Sequence, residues 1–376
     1  MYYLRWGFDH LIWGQHQQPT AVPAFLAFNN IGYRWSARIG DTAEAVAPAG
    51  YDGQFYYYMA RDPSIIAVCA QGRTHCPIDA SPLREQRILY PMAARVLALG
   101  NPDWLHATLF LLDALAILIT VFIVGLLCIQ AGASPWLAAA VGLFCGELLG
   151  LVRDLADPFA VMWLVLAVYF LRKNQPLWCA VALAAAALTR EQLAIVLPLF
   201  LLPWLVQRRR NATLLVAVVA FVPFIIWQTA LYLLYHRIGL TASLNTTSGL
   251  RFPFRALWEH RSDPRFGPIV VFVAIPLLVT LLLALLVAFG WLRQRGPRAL
   301  LADPIPLIVL LYALLATLTG PLEWEDILSS ARLITPVVAL TIILAAKALP
   351  APLRGTYAVL LSATALAIFF MPPILY

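Results

Sequence analysis

Charged residues are scarce in this 376-residue sequence, at 12% of the chain against 62% hydrophobic residues. The sequence also lacks a glycine-rich dinucleotide motif, a phosphate-loop motif, a zinc-type spacing of Cys and His, and any low-complexity linker. These absences exclude a soluble nucleotide-binding or metal-binding domain. The basic residues behind the net charge of +7 are dispersed and form no basic face interleaved with aromatics, so we expect no nucleic-acid partner.

Apolar runs of about twenty residues, the length of one membrane-spanning helix, recur from Asp103 onward. They predict an all-α polytopic membrane protein with about ten transmembrane or re-entrant helices. The predicted segments are 104–129, 134–152, 158–170, 177–189, 191–206, 212–235, 268–291, 304–320, 333–348 and 356–375. Segments 158–170 and 177–189 measure only about 20 Å as helices, so we expect them to be tilted, extended by their flanks or broken.

Basic residues collect in the short loops of one side, at 172–174, 207–210, 293–298 and in the Lys347/Arg354 turn. These loops carry ten basic residues and one acid, Asp303, which predicts that this side is cytoplasmic. The arginines of the other side lie mostly in long segments, which weigh little in this rule. The polar clusters that we expect on the non-cytoplasmic face are Asp52, Arg153 with Asp154 and Asp157, Arg190 with Glu191, the loop 236–267, and Glu323, Glu325 and Asp326.

Residues 1–103 form a non-cytoplasmic segment ahead of the predicted membrane domain, residues 104–376. This segment contains no convincing span or signal peptide, so we expect either that a first helix is missing from this chain or that its N-terminus crosses the membrane by another route. Cys69 and Cys76 bracket a short polar loop, and the sequence is compatible either with a disulfide between them or with two unpaired thiols. The stretch 87–99 has apolar residues at helical spacing with arginines between them, which predicts a short helix lying in the membrane interface.

The stretch AGYDGQFYYYMARDP, residues 49–63, places an acid and a glycine, Asp52 and Gly53, among four tyrosines ahead of the first long apolar segment. A carboxylate at the membrane surface can accept a proton from a hydroxyl, so Asp52 is a candidate general base, with a local Asx turn as the alternative. The rings and hydroxyls of Tyr56 to Tyr58 suit a sugar, while an aromatic belt at the membrane interface is the other interpretation.

The stretch LVRDLADPF, residues 151–159, contains two acids three residues apart, Asp154 and Asp157, which share a face if this turn is helical. Asp157 precedes Pro158, an arrangement typical of a helix N-cap followed by proline, so we assign Asp157 mainly a capping role. Arg153 and Asp154 are then the better candidates for ligand binding.

Further candidates lie at a helix junction and in a basic loop. In ALTREQL, Arg190 and Glu191 join two apolar segments; they form a structural pair, or Arg190 binds a phosphate with its planar fork. In the loop 236–267, Arg251 and Arg255 are four residues apart and would share an anionic phosphate if helical, with contact to lipid headgroups as the alternative.

Two acids, Asp113 and Glu147, lie inside predicted membrane spans. Acids in the membrane are functional candidates because their burial is costly. They would equally serve to pair with a neighbouring Arg or His and hold helices together.

Four stretches in this order, YDGQFYYYMARDP, RILYPMAARVLALG, RDLADPF and LTREQLAIVLP, resemble the C-type (GT-C) membrane glycosyltransferases, especially bacterial ones that use polyprenyl-phosphate-linked sugars. The resemblance covers about residues 45–210, while the C-terminal third matches only in hydropathy. It implies that Asp52 is the catalytic base and that Arg190 binds the lipid phosphate, with the arginines of 236–267 as unaligned possibilities. Family members normally begin with a helix ahead of the acidic loop, and we expect that this helix is missing here.

We therefore expect a glycosyltransferase that moves a sugar from a polyprenyl-phosphate donor to a sugar, lipid or glycan acceptor on the non-cytoplasmic face of a bacterial-type inner or plasma membrane. No cofactor is predicted, and a divalent cation near Asp52 stays open. The expected substrate-binding residues are Gln54, Tyr56, Tyr57, Arg153, Asp154, Arg190, Glu191, Arg251 and Arg255. The alternatives are a transporter or flippase of lipid-linked sugars and a catalytically silent assembly partner.

Overall fold

The computed structural model describes residues 31–40, 50–72, 75–79, 81–237 and 251–366, and over these ranges the chain is mainly helical and has no β-strand. The segment ahead of the long helices contains α1 (Tyr33–Ser36), α2 (Gly53–Arg61), α3 (Ile65–Gln71), α4 (Ser81–Glu85) and α5 (Leu89–Leu97). The remainder contains α6 (Leu105–Gln130), α7 (Ala139–Gly142), α8 (Cys145–Leu151), α9 (Ala156–Arg172), α10 (Pro176–Thr189), α11 (Leu202–Val206), α12 (Arg210–Tyr235), α13 (Arg255–Glu259), α14 (Phe266–Ile269), α15 (Ile275–Arg295), α16 (Pro297–Ala302), α17 (Ile305–Thr317), α18 (Ile327–Ala348) and α19 (Ala351–Ala363). Short 3-10 turns lie at Ala37–Ile39, Pro102–Trp104, Pro135–Ala138 and Pro321–Trp324, a longer 3-10 helix at Glu191–Leu201, and a π turn at Val270–Ala274.

Four helices of the described chain are long and apolar enough to cross a bilayer. They are Pro102–Gln130, Arg210–Tyr235, Phe266–Arg295 and Ile327–Ala348. Each coincides with a span predicted from the sequence, because a continuous apolar run of about twenty residues is itself the signal for a spanning helix. The structure is therefore consistent with a helical membrane protein, while the other predicted spans do not reach this length within the described residues.

The shorter predicted spans form shorter or divided helices. The segment predicted at 158–170 is extended by two residues at each end and forms the 17-residue α9. The segment predicted at 177–189 forms the 14-residue α10. The segment predicted at 191–206 divides into a 3-10 helix that contains Pro198 and the α-helix α11. Proline interrupts the α-helical hydrogen-bond ladder, which accounts for this division.

Two predicted spans differ further from a single helix. The segment predicted at 134–152 divides into a 3-10 turn, α7 and α8. The segment predicted at 356–375 begins inside α19, and its residues 367–375 lie outside the described chain. Residues 1–30, where the expectation of a missing first helix falls, also lie outside it.

α18 lies at the centre of the bundle, where it packs against α6, α8, α9, α15 and α17. Its start is set by Asp326, whose carboxylate accepts a hydrogen bond from the backbone N–H of Ser329 at 2.7 Å, an N-cap. α8 approaches α18 closely because Gly146 has no side chain; a β-carbon there would lie 2.7 Å from the Ala331 carbonyl oxygen. This contact fixes the end of α18 that carries Arg332.

The N-terminal segment packs onto the membrane helices. α2 contacts α5 and α6, and the Tyr90 hydroxyl of α5 donates a hydrogen bond to the Asp113 carboxylate of α6 at 2.8 Å. A disulfide joins Cys69 to Cys76, so the first of the two alternatives for these cysteines is the one found in the structure. α5, predicted to lie in the membrane interface, buries one side with Tyr90 and exposes the other with Val96.

Candidate functional site

A cavity of about 450 Å³, with both apolar and charged residues in its wall, lies between the N-terminal segment, the break after α10 and the connection from α17 to α18. Its wall brings together charged side chains that are far apart in the sequence. The charged lining residues are Asp52, Arg84, Arg87, Arg190, Glu191, Glu323, Glu325, Asp326 and Arg332. We call this space the arginine cavity, after its four arginines.

Asp52 sits just ahead of α2 and is held by two arginines. Its Oδ2 accepts hydrogen bonds from Arg84 Nη1 at 2.6 Å and from Arg332 Nη1 at 2.9 Å. The side chain makes no capping hydrogen bond to α2, so the alternative of local turn chemistry is wrong. Although burial opposes ionisation, the guanidinium groups of Arg84 and Arg332 hold the pKa of Asp52 well below its usual range.

Asp157 joins the same network, which corrects its predicted role. α9 begins at Ala156, one residue ahead of Asp157, and the structure shows no side-chain cap at this helix start. Oδ2 of Asp157 instead accepts hydrogen bonds from Arg190 Nη1 at 3.3 Å and from Arg332 Nε at 3.1 Å. The N-cap prediction failed because α9 begins ahead of Asp157, which places this residue inside its first turn rather than at the cap position.

Arg190 and Glu191, adjacent in the sequence, bind different partners. Arg190 pairs with Asp157, whereas Glu191 receives two hydrogen bonds of 2.9 Å from Arg87 Nε and Nη2. Arg87 also donates to the Tyr56 hydroxyl at 3.1 Å. Both residues line the arginine cavity, because the chain leaves α10 in an extended conformation at Arg190 and turns the two side chains apart.

Several N–H groups of the cavity arginines are available for a ligand. Among the described residues, Nη2 of Arg84, of Arg190 and of Arg332 has no hydrogen-bond partner, because these arginines donate from Nε or Nη1 to their partners. Guanidinium forks of this kind bind phosphate or carboxylate oxygens in pairs. The cavity can therefore hold an anionic group without breaking its internal ion pairs.

Glu323 lies in the 3-10 turn ahead of α18 and faces the same space. Within the described chain, its carboxylate forms no ion pair within 4 Å, although it interacts electrostatically with Arg190, Arg332 and Arg87. Burial raises the pKa of Glu323 above its ordinary value, and these arginines only partly offset that effect. Glu323 thus differs from Asp52, Asp157 and Glu191, which are all bound to guanidinium groups.

The other predicted residues of the first motif lie in the protein core. Gln54 is buried and its Oε1 accepts from the backbone N–H of Gly32 at 3.0 Å. The Tyr56 ring contacts Tyr90 edge-on, and the Tyr57 ring stacks on His106 at 4.4 Å between centroids. None of the three predicted side chains lines the arginine cavity. The three consecutive tyrosines, Tyr56 to Tyr58, are buried, so the aromatic-belt interpretation is wrong for them as well.

Arg153 and Asp154 are also absent from the cavity wall. They lie in the break between α8 and α9, where Asp154 has a left-handed φ of 47° and is fully buried. The expected helical turn that would align Asp154 with Asp157 is therefore missing. The prediction failed because it assumed a helix across a bend that the chain needs between α8 and α9.

The predicted pair Arg251 and Arg255 does not share a helical face. α13 begins at Arg255, so Arg251 lies outside it, and residues 238–250 of this basic loop are outside the described chain. Arg255 is exposed and pairs with Glu259 at 3.1 Å. Neither arginine lines the arginine cavity.

Three arginines of the site, Arg84, Arg87 and Arg332, were not singled out as site residues from the sequence. Arg84 lies in a short helix of the N-terminal segment, and Arg332 in the second turn of the apolar helix α18. An arginine inside an apolar span was the signal available for Arg332, because such a charge requires a partner or a cavity. Arg84 offered no comparable signal.

The acids predicted inside the membrane have separate environments. Asp113 accepts from Tyr90, whereas both carboxylate oxygens of the buried Glu147 have no hydrogen-bond partner among the described residues. Neither acid pairs with an Arg or His of the described chain, so the predicted alternative of helix-joining ion pairs is not seen there. Over the same residues, no group of three or more His, Cys, Asp or Glu side chains is arranged to hold a metal ion.

Comparison of the chain with protein-family profiles, with curated proteins and with solved structures finds no match.

Proposed function

We propose that this protein is a membrane glycosyltransferase that moves a sugar from a polyprenyl-phosphate donor to an acceptor hydroxyl. The observation that carries the proposal is the arginine cavity, in which Asp52 and Arg190, the two residues that matter most in the glycosyltransferase-like motifs, line one space of about 450 Å³. A lipid-linked sugar offers the two chemical features that this wall suits. Its phosphate suits the free guanidinium N–H groups, and its sugar suits the remaining polar lining.

In this proposal the donor phosphate binds to Arg190 together with Arg84 and Arg332, whose Nη2 groups are available. The acceptor hydroxyl loses its proton to a carboxylate of the cavity and attacks the anomeric carbon, and polyprenyl phosphate leaves. Asp52 is the base that the sequence motif implies. Its two bound guanidiniums make it a weak base in the ligand-free arrangement, because they stabilise its ionised form.

The proposal includes a multi-pass topology of about ten helices in a bacterial-type inner or plasma membrane, with the arginine cavity on the non-cytoplasmic face. Four helices with the length and apolarity of spans support the membrane setting. The clustering of ten basic residues in the short loops of the other side supports the orientation. A donor already linked to a membrane lipid also fits a site on that face, since it requires no nucleotide sugar.

The test compares lipid extracts by mass spectrometry from the native host carrying either the wild type or Asp52→Asn, at matched membrane levels. Accumulation of one polyprenyl-phosphate sugar in the variant is the expected result, because the donor is no longer consumed. Asp103→Asn is the matched control, since Asp103 is exposed and outside the cavity. Unchanged lipids with intact downstream glycans would favour the silent assembly partner.

A transporter of lipid-linked sugars is a second candidate, favoured by the position of Arg190 at a break between two apolar helices. Transporters use such discontinuous helices to bind charged substrates. Loss of either glycosyl transfer or transport would make the lipid-linked sugar accumulate, so a second experiment must separate them. The accumulated lipid is mixed with detergent-solubilised wild-type protein and a crude acceptor fraction. Sugar transfer without a membrane identifies an enzyme, and its absence favours the transporter.

A further inference from the structure

We propose that Glu323 is the carboxylate that removes the proton from the acceptor hydroxyl, and that Asp52 is a positioning residue for Arg84 and Arg332. This inference rests on the proposed glycosyl transfer and assigns its proton acceptor.

The first argument is the availability of the acids around the cavity. Asp52 is bound by two arginines, Asp157 by two and Glu191 by one through two hydrogen bonds. Asp326 caps α18 through the Ser329 N–H. A carboxylate whose lone pairs are already bound to cations or N–H donors is a poor proton acceptor. Among the described residues of the wall, this leaves Glu323 and Glu325 uncommitted.

The second argument is the geometry of a direct displacement. The attacking oxygen and the leaving oxygen lie on opposite faces of the anomeric carbon, so the base and the group that holds the leaving phosphate must stand apart. In inverting glycosidases, the carboxyl group that acts as the base and the one that assists the leaving group are roughly 6.5–9.5 Å apart. Asp52 is hydrogen-bonded to Arg84 and Arg332, and is therefore on the phosphate side of any ligand that these arginines hold.

The third argument is the position of Glu323 itself. Its carboxylate lies beyond 4 Å from every described cation, yet it lines the same cavity and interacts electrostatically with Arg190, Arg332 and Arg87. This is the arrangement expected of a group that faces the arginines across the ligand. Burial raises the pKa of Glu323, which makes its carboxylate a stronger base than an exposed glutamate.

In the resulting step, the acceptor O–H bond breaks and its proton passes to a Glu323 carboxylate oxygen. The acceptor oxygen forms a bond to the anomeric carbon as the bond from that carbon to the phosphate oxygen breaks. The electron pair of the broken bond leaves with polyprenyl phosphate, whose added negative charge falls on the side of Arg84, Arg190 and Arg332. Glu323 then returns its proton to water.

The test uses Glu323→Gln in the full-length protein, with three measurements. The first is the lipid extract of the native host, where we expect the same polyprenyl-phosphate sugar to accumulate as in Asp52→Asn. The second is binding of undecaprenyl phosphate to the purified protein in nanodiscs, where Glu323→Gln should bind within about threefold of the wild type and Arg190→Gln at least tenfold more weakly. The third is transfer with the accumulated lipid as donor, where we expect a loss of at least about 100-fold in kcat.

The pH profile separates a base from a structural residue. The wild-type kcat/KM should fall as pH decreases through the pKa of Glu323, because protonation removes the acceptor for the hydroxyl proton. Glu323→Asp should show the same fall of kcat/KM at low pH, which we call the acid limb, at a lower overall rate. Asp52→Asn should keep the acid limb as well, because Asp52 only positions arginines. Glu259→Gln, exposed and outside the cavity, is the control for the substitution itself.

The outcomes distinguish this inference from the proposed function. If Asp52→Asn and Arg190→Gln accumulate the donor while Glu323→Gln does not, the transferase stands and Glu323 is not its base. Loss of transfer in Glu325→Gln with normal transfer in Glu323→Gln would also overturn the assignment, as would disappearance of the acid limb in Asp52→Asn. If no variant accumulates a lipid-linked sugar, the proposed function fails and this inference fails with it.

Discussion

Replacement of Arg87 by methionine should destabilise the protein by about 3–5 kcal/mol, because Glu191 would retain a buried charge without its counterion. The two side chains are 5% and 1% exposed and are joined by two hydrogen bonds of 2.9 Å. Solvent therefore cannot screen the remaining carboxylate. The pair also connects the N-terminal segment to the break after α10, so its loss should loosen that contact.

A double-mutant cycle separates the free energy of the ion pair from the effect of lost packing at either residue. Glu191→Gln alone leaves Arg87 buried and unpaired, with a similar expected cost. The double variant Arg87→Met/Glu191→Gln removes both charges, so it should lose much less than the sum of the single variants. We expect a coupling free energy of at least about 2 kcal/mol.

The assay is the free energy of unfolding of the purified protein in detergent, followed by tryptophan fluorescence during titration with a denaturing detergent at fixed pH. Arg255→Met is the matched control, because its pair with Glu259 is exposed at 63% and 39% and should contribute less than about 1 kcal/mol. Single variants that each cost under about 1 kcal/mol and add without coupling would refute the buried pair between Arg87 and Glu191.

Three further predictions concern the scaffold of the site. Gly146→Val should cost about 1–3 kcal/mol in unfolding free energy, because the first added carbon would lie 2.7 Å from the Ala331 carbonyl oxygen of α18. Cys69→Ser should lower the unfolding free energy by about 2–3 kcal/mol relative to the wild type, both measured without reductant. This is the loop entropy that the disulfide removes from the unfolded chain, for a sequence separation of 7 between Cys69 and Cys76. Burial raises the pKa of Glu85 to about 8, so the folded state holds a proton there that the unfolded state releases from about pH 4.5 upward. Wild-type stability should therefore fall as pH rises through that window, by up to about 1.4 kcal/mol per unit, relative to Glu85→Gln.

Each of these has a comparison that can contradict it. Gly290→Val should be nearly neutral, since nothing lies within 4 Å of the β-carbon position there, and an equal cost at both glycines would remove the close-packing argument. Reductant should destabilise the wild type and leave Cys69→Ser unchanged. If stability curves of the wild type and Glu85→Gln run parallel between pH 4.5 and 8, Glu85 is not buried as a neutral acid.

The long helices were predictable because their signal is local. α6, α12, α15 and α18 each contain an apolar run that must leave water, and the run itself sets the length of the helix. The breaks were less predictable. The bend at Asp154 and the 3-10 helix after Arg190 depend on how α8, α9 and α10 pack against their neighbours, and helical spacing alone would continue through them.

Part of the candidate site could also be anticipated. Asp52, Arg190 and Glu191 stood out as charges near apolar segments, and all three line the arginine cavity. Gln54, Tyr56 and Tyr57 share the Asp52 motif yet lie in the core, because α2 is buried on all sides from Gly53 to Ala60, whereas Asp52 lies just ahead of it. A short motif therefore identified the segment but did not separate its cavity-facing residue from its packing residues.

The sequence by itself determined that this chain is helical and apolar and that its few charges need partners, since these properties follow from composition and local hydropathy. Only the tertiary structure decided which charges meet. Asp52 pairs with Arg332 across 280 residues and Arg87 with Glu191 across 104, whereas the adjacent Arg190 and Glu191 turn to different partners. The physical reason is that a buried charge is stabilised by whichever opposite charge the packing of helices brings within hydrogen-bond distance, and that distance is independent of separation along the chain.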